Sequence, residues 1–256
     1  MRAVRADFPL VIATNRDEFY ARASSGPVQL LTEPRTVGGR DLMAGGTWMG
    51  VTEAGLFVGL TNHRSLEQRP NPALCSRGEL VLHALSLGTT AAVSRYVQTL
   101  DGREYNSFNL MWGDARELKV GYGRVEQSEV AIAEVPRGVH VLPNARLDSP
   151  DFVKVRRAKQ LLADSAESDE ATLIATLAQV LSDRVLPALE DVPEPPVSSR
   201  LDRAMLRELS ALCVRTPSYG TRSSTIVLLE PGRVGQFLYA DGPPDQTAFT
   251  DVKSLF

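Results

Sequence analysis

The order in which strand-like and helical segments follow one another is the feature that most restricts the fold of this chain. Apolar runs punctuated by glycine come first, at residues 9–14, 46–52 and 56–61, and a helical block follows them. Further strand-like runs, a second helical block and a last hairpin within residues 223–240 complete the order. A doubly wound parallel sheet needs strands and helices in alternation, so this clustered order argues against one. It predicts an α+β fold in which two mainly antiparallel sheets pack together and helices cover them, four layers in all.

The helical segments carry start signals and periodic apolar positions. Ser76, followed three residues later by Glu79, is typical of a capping box. Ser149 and Pro150 fit the cap and the first helical position of a later helix. Residues 169–186 space their apolar side chains at the helical period. These signals predict helices that lie against the sheets.

Composition limits the classes of protein that the chain can belong to. The 256 residues are 43% apolar, which suffices for one core, and we expect a single domain over residues 1–256. The net charge of −3 gives no electrostatic footprint for nucleic acid. Apolar runs are far shorter than the roughly 20 residues of a membrane-spanning helix. With only two cysteines, the composition favours a soluble, cytoplasmic protein.

Several familiar sites have no counterpart in the sequence. No HExxH motif or Cys/His pair at zinc spacing is present, so we expect no metal and no cofactor. Residues 38–50 are rich in glycine but lack the Lys-Ser/Thr of a phosphate-binding loop. We interpret them as a pair of tight turns that need positive φ.

Polar residues interrupt or end several of the predicted strands. Asn15 to Glu18 ("NRDE") follow the first apolar run, and the same pattern recurs elsewhere in the sequence. Arg, Asp and Asn are poor strand residues, and a buried charge without a partner is costly. Each position alone is compatible with an ion pair or an Asx turn, but together they predict a shared site. The candidate residues are Arg16, Asp17, Asn62, Asn144 and Arg222.

Five motifs resemble a known family. "NRDEFYAR", "GGRDLMAGGTWMGVTEAGLFVGLTNHR", "SRGEL", "YNSFNLMWGD" and "YGTRSST" look like the motifs of the NRDE family, the bacterial branch of the transport and Golgi organisation protein 2 family. That family is similar to the N-terminal nucleophile (Ntn) hydrolases of the choloylglycine hydrolase and penicillin V acylase type. The resemblance implies an Ntn-hydrolase-like αββα sandwich.

The resemblance also implies roles for the candidate residues. In those hydrolases a terminal cysteine attacks an amide, and its own amino group serves as the base. Carried over motif by motif, Arg16 and Asp17 would hold that cysteine. Asn62 and Asn144 would help to form the oxyanion site and orient the substrate, and Arg222 would close the constellation.

The start of the chain departs from the family pattern. Family members usually begin Met-Cys and have a strand before the segment that corresponds to residues 7–13, whereas this chain begins "MRAVRADFPL". We therefore expect the true start to lie upstream, and the chain to lack its first strand and its nucleophile. A vacant sheet position beside residues 9–14 would recruit other chains, which predicts self-association. Neither Cys75 nor Cys213 is a candidate nucleophile.

Two functional classes follow. One is an amidohydrolase that acts on a non-peptide C–N bond when the protein has its full length. The other is a non-catalytic carrier or trafficking protein for a small apolar ligand such as haem or a lipid, as suggested for eukaryotic relatives in Golgi organisation and secretion. In both, the partner is a small molecule.

Overall fold

Two antiparallel sheets face each other in the computed structural model, which describes residues 1–67 and 69–256. One sheet has four strands in the order β1-β9-β10-β11, and the other has seven in the sequential order β2 to β8. The strands are β1 (Leu10–Phe19), β2 (Ser24–Leu31), β3 (Thr36–Asp41), β4 (Met49–Thr52), β5 (Phe57–Asn62), β6 (Phe108–Gly113), β7 (Leu118–Gly123), β8 (Ala131–Glu134), β9 (Tyr219–Glu230), β10 (Arg233–Ala240) and β11 (Thr250–Asp251).

Helices flank the sheets. They are α1 (Arg77–Ser86), α2 (Thr90–Thr99), α3 (Val153–Leu161), α4 (Glu170–Leu181) and α5 (Arg203–Glu208), with short 3₁₀ turns at Gly102–Glu104, Ser165–Glu167, Leu189–Asp191 and Lys253–Leu255. Within residues 1–67 and 69–256, none of them has the length and apolar character that crossing a membrane requires.

Apolar side chains fill three layers between these elements. Leu10 and Phe237 from the four-stranded sheet pack with Val120 of the other sheet in the middle layer. Trp112 lies in the layer between the seven-stranded sheet and helices α1 and α2. Leu173 lies in the layer between the four-stranded sheet and helices α3 and α4. The predicted α+β, four-layer αββα sandwich of antiparallel sheets is therefore confirmed.

Strand β1 is longer than its sequence suggests. The polar residues 15–18 were expected to follow the strand, but β1 runs from Leu10 to Phe19 and contains them. They pair with residues 220–224 of β9, and the register shifts between Arg16 and Asp17. The Ser and Thr side chains of β9 give these polar residues hydrogen-bond partners, and the strand therefore continues.

The sheet position beside the start of β1 is occupied over a short stretch. The expected vacancy next to residues 9–14 is partly filled, because Ala3 N donates to Pro9 O (2.6 Å) and Val11 N donates to Met1 O (2.9 Å). Arg2 also forms isolated bridges to Leu10 and Gly138. Residues 12–18 of β1 have no strand on this side within the described part of the chain.

The glycine-rich segment contains the end of β3, one turn and the start of β4 rather than a pair of turns. Gly38 and Gly39 lie in β3 without positive φ, whereas Gly45 has φ +73° as expected of a turn. A Cβ on Gly38 would lie 2.3 Å from Met49 O, and one on Gly39 would lie 2.2 Å from the Trp48 ring. These two glycines are needed because neighbouring groups approach the backbone closely, not because the chain turns.

The helix signals agree with the structure in part. Ser76 caps α1 by accepting from Glu79 N at 3.3 Å, as predicted. Helix α3 instead begins after Phe152, without a side-chain cap, so the expected start at Ser149 and Pro150 is wrong. The strand-like sequence of residues 138–144 ("GVHVLPN") predicts a strand, but this segment is irregular, and side-chain hydrogen bonds from neighbouring strands hold it in place.

Candidate functional site

A cavity of about 770 Å³ runs along the free edge of β1. Eight consecutive residues of the strand, 11–18, line it. Since successive strand residues point to opposite faces, a cavity that meets all eight must wrap around the strand edge. That edge is the one not paired with β9.

The structure brings four of the five predicted site residues to this cavity. Arg16, Asp17, Asn62 and Asn144 line it, while Arg222 is not part of its wall. Arg222 lies on β9 beside the shift in register, so β1 separates it from the cavity edge. Its charge still acts on Arg16. The catalytic roles of all five residues remain predictions.

Arg16 is almost completely buried, at 9% exposure. Its NH1 donates to Ser24 Oγ (3.1 Å), and its guanidinium lies 4.3 Å from the centre of the Trp48 ring. Burial lowers the pKa of Arg16, although the charges of Glu18 and Asp41 oppose this effect. Arg16 is thus a cation held rigidly against an aromatic wall.

Trp48 and Phe57 lie in two neighbouring strand-like runs, at positions where an alternating strand would point apolar groups inward, which predicts that both are packing residues. Phe57 is buried in the layer between the sheets, at 4% exposure. Trp48 is partly buried where it packs against this layer, and its ring lies against the guanidinium of Arg16 at the cavity wall. Trp48 therefore has a second role that its place in an apolar run does not reveal.

Asp17 lies in a different environment from Arg16. Its Oδ1 accepts from Thr221 Oγ1 (2.6 Å), and its backbone oxygen accepts from the Tyr219 hydroxyl (3.2 Å). Burial raises the pKa of Asp17, and the charges of Lys154 and Arg64 together with the Thr221 hydrogen bond only partly offset it. The carboxyl group thus holds its proton to a higher pH than an ordinary aspartate.

Two cations of the cavity wall come from helices and are not among the five residues predicted from strand ends. Arg77, at the start of α1, donates to Ser107 O (3.2 Å), and burial lowers its pKa. Lys154, at the start of α3, also has its pKa lowered by burial. The motif "SRGEL" contains Arg77 and could have identified it, whereas no sequence signal distinguishes Lys154.

A paired cluster lies at the same end as Arg16 and Arg77. Arg22 NH2 contacts Asp41 Oδ2 at 2.6 Å. Burial alone would raise the pKa of Asp41, but hydrogen bonds from Arg22 and from two backbone amides lower it overall. Glu18 acts on both Arg16 and Arg77, which indicates that these two guanidinium groups share a region of the cavity.

Hydrogen bonds fix the end of β5 against segment 141–145. Asn144 Nδ2 donates to Asn62 O (2.8 Å), and Arg64 N donates to Asn144 O (2.8 Å). Asn109, fully buried, donates to Pro143 O and Ala145 O. Asn109 therefore positions the segment that carries Asn144.

Asn15 is structural rather than part of the reacting surface. Its Nδ2 donates to Leu181 O and Leu212 O, each at 2.8 Å, and its Oδ1 accepts from Ser224 Oγ (2.5 Å). The Nδ2 amide group donates two hydrogen bonds and Oδ1 accepts one, all within the protein. It ties β1 to the end of α4.

The remaining walls are mainly apolar. They come from both sheets, from α3 and α4, and from the segment before Asn144. They include Val11, Ile12, Met49, Phe57, Met111, Leu118, Val139, Leu142, Leu162, Leu177, Val180 and Leu212. No group of three or more His, Cys, Asp or Glu side chains suited to a metal ion occurs among the described residues.

Comparison with known proteins gives a consistent family. The profile of the family described as Transport and Golgi organisation 2 matches residues 2–238. The human Transport and Golgi organization protein 2 homolog is 33% identical over 238 residues, which cover 87% of this chain and 83% of the human protein. The Drosophila melanogaster protein is 26% identical over 244 residues, with 87% and 82% covered.

Solved structures support the fold. Two variants of conjugated bile acid hydrolase from Clostridium perfringens, one with an arginine-to-leucine and one with a cysteine-to-alanine replacement, superpose with TM-scores of 0.50 and 0.52. Each match covers 95% of this chain and 89% of the hydrolase, at 12% and 11% identity respectively. The similarity is one of fold, and it agrees with the αββα arrangement.

Proposed function

The chain belongs to the Transport and Golgi organisation 2 family, and from that premise we propose that its cavity binds a small molecule with an apolar body and an anionic group. One observation carries the proposal. Two desolvated guanidinium groups, Arg16 and Arg77, line a largely apolar cavity, and neither forms a salt bridge within the described part of the chain.

The charges favour an anion at this end of the cavity. Burying a cation costs free energy unless a partner compensates. Arg22 has that partner in Asp41, whereas among the described residues Arg16 and Arg77 donate only to a hydroxyl and a carbonyl oxygen. A carboxylate or phosphate accepts two hydrogen bonds from a guanidinium and would offset the desolvation of both arginines.

The size and lining of the cavity favour an apolar body. A volume of about 770 Å³ lies within the range of about 300–1,000 Å³ that is usual for small-molecule sites. A fatty acid and haem both combine an apolar body with a carboxylate, so both carrier ligands fit this chemistry. We assign the protein to the cytoplasm, which its free cysteines, Cys75 and Cys213, favour.

Titration calorimetry with decanoate tests the proposal. We expect saturable binding by the wild-type protein, and a loss of about tenfold in affinity in Arg77→Met, as for one charge-assisted hydrogen bond. Arg103→Met is the matched control, since Arg103 lies on the surface and pairs with Asp101. No binding of decanoate by the wild type, or equal affinities in both variants, would contradict the proposal.

A second candidate, hydrolysis of a non-peptide C–N bond, has support from a specific set of residues. Arg16, Asp17, Asn62 and Asn144 line the same cavity, and the fold resembles that of a bile acid hydrolase. The same ligand series separates the two candidates when decanoate is replaced by N-decanoylglycine. Because the hydrolase needs a terminal cysteine, the comparison uses a form of the protein that is extended to begin Met-Cys. Binding without release of glycine by this form supports the carrier, whereas steady release of glycine favours the hydrolase.

A further inference from the structure

One of the four lysines differs from the others in its contacts. Lys119 and Lys159 form salt bridges of 2.8 and 3.0 Å, and Lys253 donates to a backbone carbonyl at 2.7 Å. Lys154 lines the cavity and has neither a hydrogen bond nor a salt bridge within residues 1–67 and 69–256. Its amine is thus available to a ligand.

The surroundings of Lys154 disfavour its charged form. It occupies the second position of α3, and Ala158, Leu162 and Leu177 line the same cavity. Burial lowers its pKa and the charge of Arg64 lowers it further, while the charge of Asp17 opposes both effects. A neutral amine is a nucleophile, whereas an ammonium ion is not.

We propose that Lys154 forms a reversible Schiff base with an aldehyde or ketone held in the cavity. The lone pair of Nζ attacks the carbonyl carbon, and a C–N bond forms as the carbonyl π bond opens to give a carbinolamine. The hydroxyl group then leaves as water and the C=N bond forms. No oxidant, reductant or further reactant is needed.

Asp17 is suited to assist the loss of water. Its raised pKa keeps the carboxyl group protonated to a higher pH than usual, and Asp17 and Lys154 lie near enough for each to affect the pKa of the other without a salt bridge between them. The protonated carboxyl can give its proton to the departing hydroxyl and take one back from the nitrogen. The two groups together therefore place an amine whose charged form is disfavoured and a carboxylic acid in one cavity.

The proposal rests on the proposed function because the same cavity must admit the ligand, and its test is designed to separate the two. Wild-type protein is incubated with decanal and sodium cyanoborohydride, and each lysine is followed by peptide mapping. We expect Lys154 to be alkylated at least about tenfold faster than the other three, because its lowered pKa leaves more of the amine neutral and the cavity would hold the aldehyde beside it.

Two substitutions on helix α3 test the assignment, one at Lys154 and a matched control at Lys159. Lys154→Met should abolish the fast modification, and Lys159→Met should leave it unchanged. Even modification of all four lysines would overturn the inference, and if decanoate still binds, the proposed function stands. Fast modification of Lys154 in a protein that does not bind decanoate would support the inference and contradict the proposed function.

Discussion

The two halves of strand β1 differ completely in chemistry although they share one ladder of backbone hydrogen bonds. Residues 10–12 pair with 227–229 of β9, and all six of these side chains are buried. Residues 15–18 pair with 220–224 and line the cavity with polar and charged groups. The shift in register between Arg16 and Asp17 lies in the second half only.

The apolar half of β1 supports the polar half. A partly buried polar group such as the Asp17 carboxyl is tolerated where the surrounding structure holds its hydrogen-bond partners in place. The ladder that begins among the apolar side chains of residues 10–12 brings Thr221 opposite Asp17. Stability should therefore depend mainly on the first half, and binding mainly on the second.

The largest effect is expected from the apolar half. Leu10→Ala removes a fully buried side chain from the layer between the sheets and should lower the free energy of unfolding by about 2–5 kcal/mol. Denaturant unfolding measures it, with Leu189→Ala as the control because Leu189 is 46% exposed. Similar losses in the two variants would contradict the assignment of the core to this half.

An intermediate effect is expected where the polar half meets β9. Thr221 Oγ1 donates to Asp17 and accepts from Val214 N (3.0 Å), so Thr221→Val leaves two buried groups without a partner. We expect a loss of about 1–3 kcal/mol in the free energy of unfolding. Thr99→Val, on the exposed end of α2, is the control and should change stability by less than about 0.5 kcal/mol. A Thr221→Val variant that is as stable as the wild type would show that Asp17 does not need this hydrogen bond.

The smallest effect is a dependence on pH. Because burial raises the pKa of Asp17 in the folded protein, the folded state keeps this proton at pH values where the unfolded state has lost it. The wild type should therefore lose stability from Asp17 as pH rises from about 4, the ordinary carboxyl pKa, towards the raised folded value. Asp17→Asn carries no such proton, so its stability relative to the wild type should rise across this window.

A carboxyl group whose pKa is shifted in the opposite direction serves as a control for the direction of this pH effect. Hydrogen bonds from Arg103 lower the pKa of Asp101, so this carboxylate contributes stability that is lost as pH falls. Asp101→Asn should therefore become less stable relative to the wild type as pH rises. If the curves for both variants slope in the same direction, the raised pKa of Asp17 is wrong.

The sequence is sufficient to predict those parts of the fold that local patterns determine. Ser76 and Glu79 mark the start of α1, and the period of Leu173, Leu177 and Leu181 marks the buried face of α4. The closing hairpin also follows from its apolar runs and its turn at Gly232. Each of these signals acts within a few residues, so no knowledge of distant partners is needed.

Features that depend on distant partners were beyond prediction from sequence. Residues 15–18 continue β1 because β9, about 200 residues later in the chain, supplies matching hydroxyl groups. Arg222 was assigned to the cavity, yet it lies one strand away from the cavity edge. Lys154 and Arg77 reach the cavity through the packing of helices, which a search of strand ends does not detect.

Titration calorimetry that compares decanoate with decanol tests most directly whether the cavity has an anion site. The two ligands share an apolar chain and differ in the anionic group. If Arg16 and Arg77 bind the anionic group, decanoate should bind at least about tenfold more tightly than decanol. Arg77→Met should reduce this preference. Equal affinities for the two ligands in the wild-type protein would contradict an anion site at the end of the cavity that Arg16 and Arg77 line.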